Sequence, residues 1–108
     1  MSEDALRADV WLWRARFFKS RSGAARLIEE GPVRHRRAAL QSRLDKPSRL
    51  VRPGDELVFA VGGRAFAVQV LALGVRRGPP SEARTLYAAL EEPLDDAPAT
   101  PADAVADS

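Results

Sequence analysis

The sequence predicts an α+β fold: two N-terminal helices on a small, twisted, mostly antiparallel sheet, with a short C-terminal helix near 82–90. Three observations predict it. Apolar residues recur at helical spacing as far as Gly31. Beyond Pro32 the period shortens to alternation. Two β-rich runs, 56–61 and 64–73, flank Gly62-Gly63, a pair suited to a tight hairpin connection.

Residues 1–6 read as a loose leader. Asp9 is the expected N-cap of a first helix running to Phe18, with Val10, Trp13 and Phe17 at i, i+3 and i+7. Trp11 and Trp13 cannot both face one core: either one is exposed, where it could stack on a base, or, the favoured reading, both are half-buried against the sheet. Ser20 is the expected N-cap of a second helix, 21–30, with Ala24, Leu27 and Ile28 as its apolar face. Gly31 suits a left-handed C-cap, and Pro32 stops the helix. Residues 33–35 read as a short strand. The basic stretch 36–45, with Ala38, Ala39 and Leu40 inside it, has no assignable period. Lys46-Pro47-Ser48 and Arg52-Pro53-Gly54-Asp55 read as turns. On the returning strand Phe66, Val68 and Val70 share one face. Arg76-Arg77-Gly78-Pro79-Pro80 ends the sheet. Ser81 then caps the last helix, along which Ala83, Leu86, Tyr87 and Leu90 recur.

A chain of 108 residues makes one domain. It has no cysteine and one histidine, His35. That excludes a disulfide framework and a thiolate or multi-histidine metal site, and it fits a reducing cytoplasm. No apolar run approaches membrane-spanning length, and the acidic N-terminus lacks the order of a secretory signal. No cofactor and no small-molecule substrate is implied. There is no phosphate-binding glycine loop, because Gly62-Gly63 lies between strands, and no nucleophile–base pair is evident. The expectation is therefore a binding protein, not an enzyme.

Charge points to the class of partner to expect. The net charge of +2 conceals a division. Residues 1–90 hold 17 basic and 9 acidic side chains, whereas 91–108 hold six acidic and none basic. The six are Glu91, Glu92, Asp95, Asp96, Asp103 and Asp107, in a segment rich in Ala and Pro that reads as a disordered acidic tail. Arg14, Arg16, Lys19, Arg21 and Arg26 follow one another with no acid between Asp9 and Glu29. They flank the expected N-terminus of the second helix, whose free N–H groups, dipole and serine hydroxyls favour phosphate. Arg34, Arg36, Arg37, Arg43, Lys46, Arg49 and Arg52 form a second basic group. Such arginine-rich clusters fit nucleic acid. Two rival readings remain: a DNA-binding helix-turn-helix-like protein, which would leave the later strands unexplained, and a protein-interaction adaptor.

Several segments are familiar. Arg7-Ala8-Asp9-Val10-Trp11-Leu12-Trp13, Arg16-Phe17-Phe18-Lys19-Ser20-Arg21-Ser22, and Ala24 with Leu27-Ile28-Glu29-Glu30-Gly31-Pro32-Val33 resemble the S4-type RNA-binding domain. Lys46-Pro47-Ser48-Arg49, Val51-Arg52-Pro53-Gly54-Asp55, Leu73-Gly74-Val75-Arg76-Arg77-Gly78-Pro79, and Glu82-Ala83 with Leu86-Tyr87 extend the likeness to the bacterial heat-shock protein fifteen family. The likeness covers 7–90, with the core motif in 7–55 and the acidic tail in 91–108. It implies an S4-like (αL motif) domain whose helix pair and adjacent loop face structured RNA, ribosomal RNA of the large subunit. It also implies association with a large subunit that still carries a nascent chain. The RNA-contacting residues it implies are Arg7, Arg16, Lys19, Ser20, Arg21, Ser22 and Arg26, followed by Arg34 and Lys46. The chain departs from the family pattern in three ways. Ala8 replaces the usual Leu, the Asn-Gly turn after the first strand is missing, and the C-terminal segment is acidic where better-known members are basic.

Overall fold

The computed structural model describes residues 4–90. The expectation of an acidic disordered tail, and residues 1–3 of the expected leader, lie outside the described residues; Leu6, expected in that loose leader, is instead paired as a strand opposite Val51. A short strand β1 (Leu6–Arg7) leads into α1 (Ala8–Arg14) and α2 (Arg21–Glu30). The sheet strands β2 (Arg34–Arg37) and β3 (Leu40–Arg43) follow, then β4 (Leu50–Val51), β5 (Glu56–Val61) and β6 (Arg64–Val70). Helix α3 (Pro80–Ala83), a 3-10 turn (Arg84–Leu86) and β7 (Tyr87–Ala89) complete the fold. Every strand pairing is antiparallel: a five-stranded sheet ordered β3-β2-β5-β6-β7 and a separate β1–β4 pair. The α+β expectation holds.

One face of the sheet carries the core. Leu57, Phe59, Val68 and Val70 meet Trp11, Leu12 and Ala15 of the first helical segment and Ala24 and Ile28 of α2. Trp11 is completely buried and donates its indole N–H to the carbonyl of Ala72, 2.9 Å away, so its one polar atom is satisfied. Trp13 is half-buried. The two tryptophans therefore differ: neither is exposed, and the favoured expectation of equal partial burial holds for Trp13 alone. Ala8, at 0% exposure, fills its place in the core without the larger side chain.

Local chemistry explains the departures from expectation. Helix α1 ends at Arg14, not near Phe18. Arg16 adopts φ 68°, its amide donates to the Trp13 carbonyl at 3.0 Å, and the Phe17 amide reaches back to Leu12 at 3.1 Å. These are the two bonds of a Schellman cap, with arginine in the position glycine usually holds. The reversal throws Phe17 onto the sheet, where its ring meets Phe59 at 5.1 Å and Phe66 at 5.4 Å. Asp9 is not an N-cap. Arg7 occupies that position, and Asp9 sits in the first turn. Ser20 caps α2 as expected, its hydroxyl accepting the Gly23 amide at 3.0 Å, a bond that contributes about 1 kcal/mol. Gly31 is extended, at φ −107° and ψ 168°, not left-handed. The following Pro32 disfavours helical dihedrals at position 31. A Cβ at Gly31 would also lie 2.9 Å from Leu27 Cδ1.

Residues 36–45 resolve into the β2–β3 hairpin, turned by Ala38 and Ala39 at φ 51° and 71°. Left-handed alanine costs about 1–2 kcal/mol per residue. Changing Ala38→Asn and Ala39→Gly together is expected to stabilise the domain by about 1 kcal/mol, read as a higher urea midpoint; a fall would show that the turn is not of this type. The returning strand stops at Val70. The expected C-terminal helix is one helical turn followed by β7, because Tyr87–Ala89 pairs with the open edge of β6 (Val70↔Tyr87, Val68↔Ala89).

Candidate nucleic-acid interface

The basic stretch at the helix junction divides by what each cation touches. Arg14 Nη1 donates to the carbonyls of Gly74 at 2.7 Å and Leu73 at 3.4 Å. Arg16 Nε donates to the Gly78 carbonyl at 2.6 Å. Arg77 returns the favour across the same seam, donating to the carbonyls of Trp13 at 3.0 Å and Phe18 at 3.3 Å, with its guanidinium 5.8 Å from the Trp13 ring. These three arginines fasten segment 73–78 to the helix junction. A Cβ at Gly78 would lie 2.5 Å from the Glu82 carboxyl, so the flexible end of that side chain would have to turn away from Arg76.

What remains at the junction is a surface. Lys19, Arg21 and Arg26 are exposed, and among the described residues none has an ion pair or side-chain hydrogen bond. Lys19 and Arg21 border the start of α2, whose first turn has no acidic residue, and Arg26 lies further along it. Gly23 and Ala24 amides are bonded to Ser20, which leaves the amides of Arg21 and Ser22 without intrahelical acceptors. Ser20 and Ser22 hydroxyls lie 3.3 Å apart beside them. Cations, free N–H groups, hydroxyls and the positive end of the helix dipole thus coincide, a combination whose chemistry favours an anion such as phosphate.

The other expected residues lie elsewhere. Arg7 forks onto Asp9 with bonds of 3.1 and 2.9 Å. The bonds and charge of Asp9 hold the Arg7 guanidinium above its ordinary pKa. Bonds from the Ala8 amide to Arg49 (2.8 Å) and from the Asp9 amide to Pro47 (3.3 Å) bring the Lys46–Arg49 turn against the start of α1. Arg7 and exposed Lys46 therefore group at the opposite end of α1 from Lys19, about 10 Å of helix away. Arg34 is exposed on the sheet face opposite the core, across from Arg43. The expected residues fall into three places: Arg16, Lys19, Ser20, Arg21, Ser22 and Arg26 along the junction and α2; Arg7 and Lys46 at the start of α1; and Arg34 on the sheet.

Sequence reasoning missed a buried polar cluster on Asp55 among the described residues. Asp55, 2% exposed, accepts from His35 Nε2 at 2.8 Å, from Arg37 at 2.9 and 2.8 Å, and from the Arg52 amide at 3.0 Å. Burial pushes the Asp55 carboxyl up. The bonds from Arg37, His35 and the Arg52 amide together outweigh burial and hold it below the ordinary carboxylate range. The cluster joins β2 to the turn before β5. Only the turn-forming Arg52-Pro53-Gly54-Asp55 was visible, and nothing in the sequence paired it with His35. Among the described residues no group of three His, Cys, Asp or Glu side chains could hold a metal. No described helix is long and apolar enough to cross a membrane.

Residues 6–34 match the family model described as S4 domain. The heat shock protein 15 homolog of Haemophilus influenzae is 36% identical over 87 residues, covering 81% of this chain and 63% of that protein. Heat shock protein 15 of Escherichia coli K12 is 36% identical over 90 residues, covering 83% of this chain and 64% of that protein. This chain thus spans less than two thirds of the length of these curated relatives. The trimeric structure of Vibrio cholerae heat shock protein 15 is similar at TM-score 0.71 and 30% identity, covering 82% of this chain and 84% of that one.

Proposed function

This chain belongs to the heat shock protein 15 family, and we propose that it is a non-catalytic cytoplasmic protein that binds structured RNA, ribosomal RNA of the large subunit, through the helix junction. An RNA-binding role accords with the S4 domain in residues 6–34. The observation that carries the finer reading is that Lys19, Arg21 and Arg26 have no carboxylate partner among the described residues, and the first two border the open N-terminus of α2. Arg16, Ser20 and Ser22 support that surface, and Arg7, Lys46 and Arg34 extend it to neighbouring backbone. Phosphate contacts of this kind set position and affinity. The preference for folded RNA rests on the S4 match. In the cell the protein acts on a large subunit that retains its nascent chain. It uses no cofactor, membrane or small-molecule substrate. His35 and Asp55 support this non-catalytic reading, because both are buried and committed to each other and to Arg37.

The test compares affinity for a folded RNA hairpin with affinity for a DNA duplex of equal length over a range of salt. The expected result is RNA favoured by about tenfold, with both affinities falling steeply as salt rises. Equal or tighter binding to the duplex would replace this reading with a helix-turn-helix-like one. Binding to neither, with capture of a protein partner, would replace it with an adaptor.

A further inference from the structure

We propose that the acidic segment 91–108 docks on the cationic surface at the start of α2 and competes with RNA for it. The competition rests on the function proposed above, whereas the docking does not.

Charge is the first argument. The segment carries Glu91, Glu92, Asp95, Asp96, Asp103 and Asp107 and no cation. Lys19, Arg21 and Arg26 are exposed cations with no carboxylate among the described residues. Three other exposed cations are already engaged, Arg76 with Glu82 at 2.7 Å, Arg36 with Glu56 at 2.9 Å and Arg7 with Asp9 at 2.9 Å. Exposed Lys46, Arg52, Arg64 and Arg84 lack the neighbouring free amides of the start of α2.

The exit point of the chain is the second argument. Strand β7 starts at Tyr87, whose ring is 4.8 Å from that of Phe17, two positions before Lys19. It then runs along β6 toward Phe66, and the Leu90 amide donates to Ala67 at 2.7 Å. Phe66 itself packs on Phe17 at 5.4 Å. The last described residue, Leu90, therefore lies at the edge of the sheet beside the aromatic cluster beneath the α1–α2 junction. Thirteen and seventeen residues past Leu90, Asp103 and Asp107 have a chain reach of about 43 and about 56 Å, beyond the 40 Å longest extent of the domain, so these distal carboxylates can reach α2 from any exit point. Each exposed pair is weak, but a tethered segment acts at an effective concentration of about a millimolar. RNA binding at the same cations must displace it.

The test uses the full chain and a variant with E91Q, E92Q, D95N, D96N, D103N and D107N, which removes the charge and keeps the length. Without RNA, backbone amide resonances of Lys19 to Arg26 are expected to differ between the two proteins at low salt and to converge at about 0.5 M, where screening is strong. With RNA, the neutralised variant is expected to bind about threefold tighter or more at low salt, a gain absent when K19A and R21A are also present. Unchanged resonances at 19–26, or changes spread evenly over all exposed arginines, would overturn the docking. Localised shifts without any gain in RNA affinity would overturn the competition. Failure of the RNA-binding reading itself would appear separately, as K19A and R21A leaving RNA affinity unaltered in the acidic chain.

Discussion

Replacing Asp55 with alanine is expected to destabilise the domain by about 2–4 kcal/mol, because it strands the buried His35 ring and the Arg52 amide, while the Arg37 guanidinium, 41% exposed, can turn in part to water. The Arg37 fork, the His35 ring and the Arg52 amide all end on this one group. Against a total stability of about 5–15 kcal/mol for a small domain, that loss threatens folding at 37 °C. Acid should reproduce part of it. The Asp55 carboxyl is held below its ordinary value when folded, so the stability it supplies is complete above the unfolded-state pKa of about 3.9. It is lost as pH falls through the lower folded value. Asp55→Asn keeps the shape but cannot titrate, so the stability gap between it and the natural protein should narrow as pH falls below about 4. Urea unfolding at neutral and acid pH reads both effects. A cost under about 1 kcal/mol for the alanine variant, or a gap that does not move with pH, would contradict this account.

Features governed by near neighbours were legible in the sequence. Ser20 caps the helix it precedes. Gly62-Gly63 joins β5 and β6 in the expected register, with Val61 opposite Arg64. The unreadable features depend on distant partners or on residues with no distinctive signature. Ala38-Ala39 turns a hairpin with neither Asn nor Gly. Tyr87–Ala89 looks helical by spacing but finds a free strand edge. The two-residue strands β1 and β4 exist only because they meet. The candidate surface was legible as a cluster but not as a division of labour. Arg14, Arg16 and Arg77 satisfy carbonyls some 60 positions away (as from Arg14 to Gly74), and Arg37 satisfies Asp55. Guanidinium groups that fasten a fold and those that face solvent look identical in a sequence, because a backbone carbonyl acceptor leaves no mark there.

Replacing Lys19 and Arg21 together with alanine is expected to weaken RNA binding by about tenfold or more, with thermal stability within about 1 kcal/mol of the natural protein. Neither side chain has a partner among the described residues, and neither belongs to the buried face of Ala24 and Ile28, so folding loses little. The loss should be similar across RNA sequences, since phosphate contacts carry no base information. Arg36→Ala is the control. It removes an exposed charge on the sheet face opposite the core, at the cost of the Arg36–Glu56 pair alone. Arg64 would serve less well, because its guanidinium lies 5.3 Å from the Phe66 ring and so close to Phe17 and the junction. The decisive measurement is the slope of log affinity against log salt for the three proteins on one folded RNA. The account predicts a slope shallower by roughly one unit per contact removed in the Lys19, Arg21 variant, and nearly unchanged in the Arg36 variant. Equal loss per charge in both would mean diffuse electrostatic attraction, and a localised RNA-binding surface at the start of α2 would be contradicted.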